Sequence, residues 1–170
     1  FMSLFLLKQQ GYDLTAVTFV FGTYEKKENA NITLAKKQAE FLNIPHIVVN
    51  AEKEFENIVL NYYIDELKKN NTPNPCVICN ALCKFDLLKK TADNLGINFI
   101  ATGHYAKTSN GRLYKGKDPL KDQSYFLSFL SQDILKRTLF PLGNFFKKEV
   151  KELALQNGFS EFKKTNESQD

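Results

Sequence analysis

The sequence has no run approaching the roughly 18 consecutive apolar residues of a membrane-spanning helix. Its opening "FMSLFLL" has neither the basic flank nor the small-residue cleavage site of a secretory leader. These absences argue against helical membrane proteins and secreted chains, and point to a cytoplasmic protein with no membrane partner. Arginine is nearly missing: Arg112 and Arg137 are the only two, so the formal charge of +4 is carried almost wholly by lysine. A mild lysine excess describes a solvated surface, and a nucleic-acid partner needs better evidence than charge. Internal repeats and low-complexity linkers are absent, and 170 residues make most simply one domain with a sizeable core. An initiator is lacking too, since the chain opens on Phe1 inside what reads as a helix body, and "KKTNESQD" stops without a stop signal. The expectation is a single incomplete domain over residues 1–170, with 144–170 leading into a following domain.

What is present reads as a parallel α/β rhythm. The first helical stretch ends at Gly11, and "LTAVTFVF" (14–21) is a continuous β-branched and aromatic run, the pattern of a strand buried on both faces. "ITLAKKQAEFLN" (32–43) predicts a helix, "IPHIVVN" (44–50) a strand, and "EFENIVLNYYIDELKK" (54–69) a third helix. Leu82, Phe85, Leu88, Ala92 and Leu95 line one face of a fourth, ended by Gly96. "INFIATG" (97–103) is the next strand, and it runs into Gly103 and His104, where open α/β sheets place ligands. "KTSNGRLYKG" (107–116) predicts a hairpin about Asn110-Gly111, and "NFFKKEVKELALQNG" (144–158) a last helix.

Three cysteines, Cys76, Cys79 and Cys83, crowd into eight residues. In a cytosolic chain that crowding points to metal binding or thiol chemistry before structural disulfides. Pro73 and Pro75 push Thr72 and Asn74 away from helical geometry, so a helix starts near Cys76 and carries the cysteines on its first turn. Free backbone N–H groups there stabilise an anion, and a thiolate pKa can fall from about 8.5 into the physiological range. On this reading Cys79 is reactive, while Cys83 is a small core residue of the amphipathic helix. The spacing also fits zinc or an iron–sulfur cluster, with a distant His104 as fourth ligand. Spacing alone leaves nucleophile and metal ligand open.

His46 reads as a surface or packing residue. His104 differs, because an imidazole beside Gly103 at a strand end can donate to a phosphate, base or ring oxygen. By composition "KDQSYF" (121–126) is a helix start with Asp122 near the N-cap.

"TPNPCVICN" (72–80), "KF" (84–85), "ATGHYAK" (101–107), "KDQSYFLSFL" (121–130), "FPLG" (140–143), "KKEVKELALQNG" (147–158) and "ESQD" (167–170) together span nearly the whole chain. In this order and at these spacings they resemble the bacterial tRNA-specific 2-thiouridylases. The resemblance implies a doubly wound, mostly parallel sheet of the adenine-nucleotide α-hydrolase-like, ATP pyrophosphatase type, incomplete here. It also implies an activity. ATP, with Mg2+, adenylates the C2 oxygen of the wobble uridine in a glutamine, lysine or glutamate tRNA; sulfur from a persulfide carrier protein then replaces that oxygen, and AMP leaves.

Residue by residue, the resemblance makes Cys79 the first catalytic cysteine, acting on a second cysteine's persulfide by proton transfer or by forming a disulfide with it. Asn74, Pro75 and Cys76 match the segment contacting the flipped-out target base. Gly103 matches an ATP-contacting glycine, and Phe19 falls where relatives often have a methionine near the adenine. His104, Lys121, Asp122 and Gln123 match tRNA contacts, which overrides the composition-only reading of "KDQ". Some members carry an aspartate where this chain has Cys76. The family's Ser-Gly-Gly-x-Asp-Ser pyrophosphate loop would precede Phe1, and its persulfide-bearing cysteine would follow Asp170. The expectation is no turnover by the fragment itself, because ATP phosphates lack that cradle. The alternatives are a metal-binding RNA module, using the three cysteines as ligands, and a relative that has lost catalysis and keeps RNA binding.

Overall fold

The apolar run at 14–21 forms strand β1 (Ala16–Val20) in a computed structural model that describes residues 1–22 and 25–159, the side chains of 25–29 excepted. It pairs in parallel with β2 (His46–Asn50), Ala16 lying opposite His46 and Val20 opposite Asn50, with helix α2 (Glu25–Phe41) between them in sequence. Helix α1 (Met2–Gln9) precedes β1 and gives way at Gly11, whose φ of +83° suits a residue without a Cβ. A second parallel pair joins β3 (Ile100–Ala101) to β6 (Thr138–Leu139). Between these in sequence, β4 (Ala106–Ser109) and β5 (Arg112–Lys115) form the expected hairpin. Asn110 and Gly111 both take positive φ, as a two-residue type I′ turn requires.

Among the described residues the two parallel pairs share no backbone ladder. An elongated cavity of about 480 Å³ lies between them, lined by Thr15, Ala16, Val17, Thr18 and Phe19 on one side and by Phe99, Ile100, Ala101, Thr102 and Gly103 on the other. Successive strand residues point to opposite faces, so an unbroken run of lining residues means that each strand turns its edge to the cavity. One expectation is not confirmed and another is corrected. A continuous doubly wound sheet is not seen among the described residues. Nor is β1 buried throughout: only Ala16 is fully buried, and Val17 to Val20 are half-buried.

The helix expected over 54–69 spans 52–68, and the cysteine helix spans 75–94. Each widens into a π turn, at Glu56–Leu60 and at Cys79–Lys84, and the two turns pack together. The i→i+5 ladder enlarges the turn locally, and Val59, Cys79 and Cys83 meet there in one buried cluster. Strand 97–103 is shorter than its sequence suggests. Arg137 accounts for the difference, because its guanidinium donates to the carbonyls of Asn98 (2.8 Å) and Ile97 (3.0 Å) while pairing with Asp93 at 2.7 Å.

The main core gathers Phe85 and Ala92 of the cysteine helix with Ile100, Ala106, Leu127, Leu130, Leu135 and Phe140. Burying a side chain such as Phe85 contributes roughly 1.5–3 kcal/mol. A second cluster seats α1, through Met2 and Leu6, on Tyr105, Leu142, Val150 and Ala154. The "PLG" turn belongs to this packing, since a Cβ built on Gly143 would overlap the carbonyl of Ala106. The last described helix, Lys147–Gln156, begins with its Lys147 N–H on Asp118 Oδ2 (3.0 Å) and the Phe146 N–H on Glu149 Oε2 (2.6 Å). "ESQD" (167–170) lies outside the described residues.

Candidate active site

Asn74 caps the cysteine helix. Its backbone is extended, its Oδ1 accepts the Cys76 N–H at 3.1 Å, and Pro75 occupies the first turn, where a missing N–H does no harm. The helix thus starts where the prolines predict. Cys76 is exposed on that first turn; Cys79 is 5% exposed and Cys83 fully buried.

The expectation of a lowered Cys79 pKa is corrected here. Burial raises it and the neighbouring Cys76 adds to the rise, while Lys84 and the nearby Cys83 thiol oppose it. The reason is position: Cys79 opens the π turn, past the first turn, with its sulfur among Val59, Phe21 and Phe55 instead of over free N–H groups. The exposed thiol at the helix start is Cys76. Cys76, Cys79 and Cys83 are all free thiols, with no disulfide among them. Among the described residues no three His, Cys, Asp or Glu side chains are grouped to hold a metal ion.

Phe19, Gly103 and His104, singled out in separate stretches of sequence, all line the cavity between the parallel pairs, with Ser3 and Lys84 beside them. Gly103 lies close to α1: a Cβ there would sit 3.4 Å from Ser3 Oγ. His104 is held by Thr102, whose Oγ1 is 2.8 Å from its Nδ1, and its ring lies near Phe85 and Phe140. His46, read as a packing residue, also borders the cavity, with Nε2 2.9 Å from Thr18 Oγ1. Cys79 does not line the cavity. Phe21 connects the two places, lining the cavity and packing against the Cys79 cluster.

Lys121, Asp122 and Gln123 lie on the turn leading into the 3-10 segment Ser124–Leu127, which packs against the start of the cysteine helix. Lys121 is exposed. The Asp122 carboxylate faces inward, accepting the N–H of Gly116 (2.7 Å), the N–H of Ser124 (3.3 Å) and the hydroxyl of Ser124 (2.8 Å). Burial would raise its pKa, but these hydrogen bonds and the nearby Lys115 outweigh it and hold the carboxyl below its ordinary value. Gln123 Oε1 accepts the Tyr105 N–H at 3.1 Å, next to His104 in the chain. Sequence reasoning missed Asn80: it is 4% exposed, its amide donates to the Phe126 carbonyl at 3.2 Å, and its Oδ1 is buried without a partner. A polar residue on the core side of an amphipathic helix was the available signal.

These features define an α/β domain with parallel strand pairs and a cavity reaching the carboxyl ends of β1 and β3. The sequence profile of the family described as tRNA methyl transferase HUP domain matches residues 1–170, and the chain belongs to that family. A HUP domain is of the adenine-nucleotide α-hydrolase-like α/β type. The chain is 44% identical over 170 residues to the tRNA-specific 2-thiouridylase MnmA of Geotalea uraniireducens (strain Rf4), an alignment covering 90% of this chain and 45% of that relative. It is 42% identical over 177 residues to the tRNA-specific 2-thiouridylase MnmA of Amoebophilus asiaticus (strain 5a2), covering 96% of this chain and 47% of the relative. With the tRNA-specific 2-thiouridylase MnmA 2 of Phocaeicola vulgatus it shares 42% over 159 residues, 91% of this chain and 45% of the relative. The chain spans about half the length of the curated relatives it matches.

Proposed function

We propose that this domain is the nucleotide-binding, thiol-bearing part of a tRNA-uridine 2-sulfurtransferase, an enzyme that converts the wobble uridine of glutamine, lysine and glutamate tRNAs to 2-thiouridine at the expense of ATP. The observation that carries the reading is convergence. Phe19, Gly103 and His104 line one cavity, and Phe21 links it to Cys79. Relatives named as tRNA-specific 2-thiouridylases support the substrate and the reaction type.

ATP fits the cavity in two respects. Phe19 offers an apolar ring for adenine, and the missing side chain at Gly103 leaves room beside Ser3 for a ligand to approach main chain. Lys84 and His104 border the same space and face the charge of an adenylated base. Among the described lining residues Asp13 is the one carboxylate, so Mg2+ would come with the phosphates rather than in a protein cage. In this reading the sheet is doubly wound, and 144–170 leads toward a following domain.

Asn74, Pro75 and Cys76 form a stiff, capped helix start next to the Lys121-bearing turn, suited to holding a uridine drawn out of its stack. Adenylation turns the C2 oxygen into a leaving group, and a persulfide from a carrier protein supplies the sulfur. Of the two roles open to Cys79, burial favours the protonated thiol and hence proton transfer. Replacing Cys79 by serine in the complete protein should abolish wobble 2-thiouridine, read by mass spectrometry of tRNA nucleosides. Undiminished thiolation would overturn the assignment.

A further inference from the structure

The segment 120–130 carries large apolar residues on both of its sides. Leu127 and Leu130 are buried in the main core with Phe85 and Phe140. Leu120, Tyr125 and Phe129 stand in solvent, 89%, 63% and 68% exposed, and among the described large apolar side chains only Phe41 is comparably bare. One such residue alone needs no explanation, but three within ten residues, around the exposed Lys121, form a patch.

The patch sits on fastened backbone. Gln123 Oε1 accepts the Tyr105 N–H, the Asp122 carboxylate accepts from Gly116 and Ser124, and the Tyr125 carbonyl accepts the Ser128 N–H at 3.2 Å. The Phe126 carbonyl takes the amide of Asn80, the residue after Cys79, and the segment packs against the helix start at Asn74–Cys76. The Tyr125 ring meets Phe126 in a T-shaped contact, with centroids 5.5 Å apart and planes at 76°. Such a contact covers at most one face of a ring. Tyr125 therefore holds an open aromatic face beside the cysteine helix.

Drawing a uridine out of its stack strips the bases on either side of a stacking partner. An aromatic side chain restores that contact and accepts any base, because every base has a π face. An open ring beside a lysine is the composition that single-stranded RNA calls for, the lysine answering the phosphates. We propose that Tyr125 is a stacking residue for the anticodon loop, its ring taking the place of the extruded uridine against one of the two flanking bases. The inference rests on the reading of the substrate as tRNA with its wobble uridine flipped out.

The test uses the complete protein and an anticodon stem-loop carrying 2-aminopurine on one side or the other of the wobble uridine. With the parent protein one of the two probes should stay quenched in the complex. Tyr125→Ala and Tyr125→Leu should brighten that probe and weaken binding about tenfold, the order of one base–aromatic stack. Tyr125→Phe keeps the ring and should match the parent. The slope of log affinity against log salt should hold in all of them, since a stack releases no counterions. Because Tyr125 is exposed, the variants should keep the thermal midpoint of the parent. Two bright probes in the parent complex, an unmoved affinity in the alanine variant, or a leucine as good as phenylalanine overturns the proposal. A variant that binds RNA normally and loses thiolation only when sulfur comes from a carrier protein also overturns it, assigning the ring to a protein contact. A parent protein that fails to bind the stem-loop removes the tRNA reading and the proposal together, whereas a parent that binds beside indifferent variants removes the proposal alone.

Discussion

The Asn80 amide donates to the Phe126 carbonyl at 3.2 Å, fastening the residue after Cys79 to the turn that carries Lys121, Asp122 and Gln123. The two parts of the proposed tRNA site are thus joined by a buried side chain. Asn80→Ala should destabilise the domain by about 1–2 kcal/mol, the loss of one buried hydrogen bond with its acceptor left over. It should also speed amide exchange selectively across 121–127. Urea unfolding and hydrogen-exchange mass spectrometry measure both, and uniform exchange changes would argue against this coupling.

Gly143 faces the Ala106 carbonyl so closely that no Cβ fits. The Lys107 side chain, also close, could move aside, but the Ala106 carbonyl is main chain and cannot swing away. Gly143→Ala should therefore lower stability by about 3 kcal/mol or more, beyond ordinary overpacking. A thermal midpoint within a few degrees of the parent protein would contradict the packing described.

Asp122 gives a pH dependence with a definite sign. Its folded pKa is depressed, so its contribution is complete above the unfolded value of about 3.9 and is lost as pH falls through the folded value. Asp122→Asn should reduce stability at neutral pH and flatten the acid limb of a stability–pH curve. Parallel curves for the two proteins would show that the inward hydrogen bonds carry no such linkage.

Lys121 is exposed beside a carboxylate that is turned inward. If it meets an RNA phosphate, Lys121→Ala in the complete protein should weaken binding of an anticodon stem-loop and reduce the slope of log affinity against log salt by about one. A weaker complex with an unchanged salt slope would assign the lysine to something other than a phosphate contact.

Much of the fold is legible in the sequence where local chemistry decides. The Asn110-Gly111 hairpin, the Pro-Asn-Pro helix start and the glycine-ended helices follow from backbone preferences that tertiary packing did not override. The π turns were not legible, because they depend on Val59, Cys79 and Cys83 packing between two helices. The depth of Cys79 was hidden for the same reason, and with it the direction of its pKa shift. Gly103 and His104 were found from their place at a strand end. The hydrogen bond of Asp122 to Gly116 could not be, since Gly116 is placed by how the hairpin folds back. "FPLG", a motif with no evident chemistry, turned out to be a close backbone approach.

The cavity between β1 and β3 has a consequence for cooperativity. Where strands are laddered edge to edge, one cannot come away without breaking the hydrogen bonds of its neighbour. Among the described residues no ladder joins the pair β1–β2 to the pair β3–β6, and α1 packs on the β1–β2 cluster while also seating on Tyr105, Leu142, Val150 and Ala154. Opening free energies within a protein follow such divisions. The β1–β2 side, whose buried cluster is Ala16, Ala39, Leu42 and Ile44, therefore forms a weaker unit than the side built on Phe85, Leu127 and Phe140, and melts ahead of it.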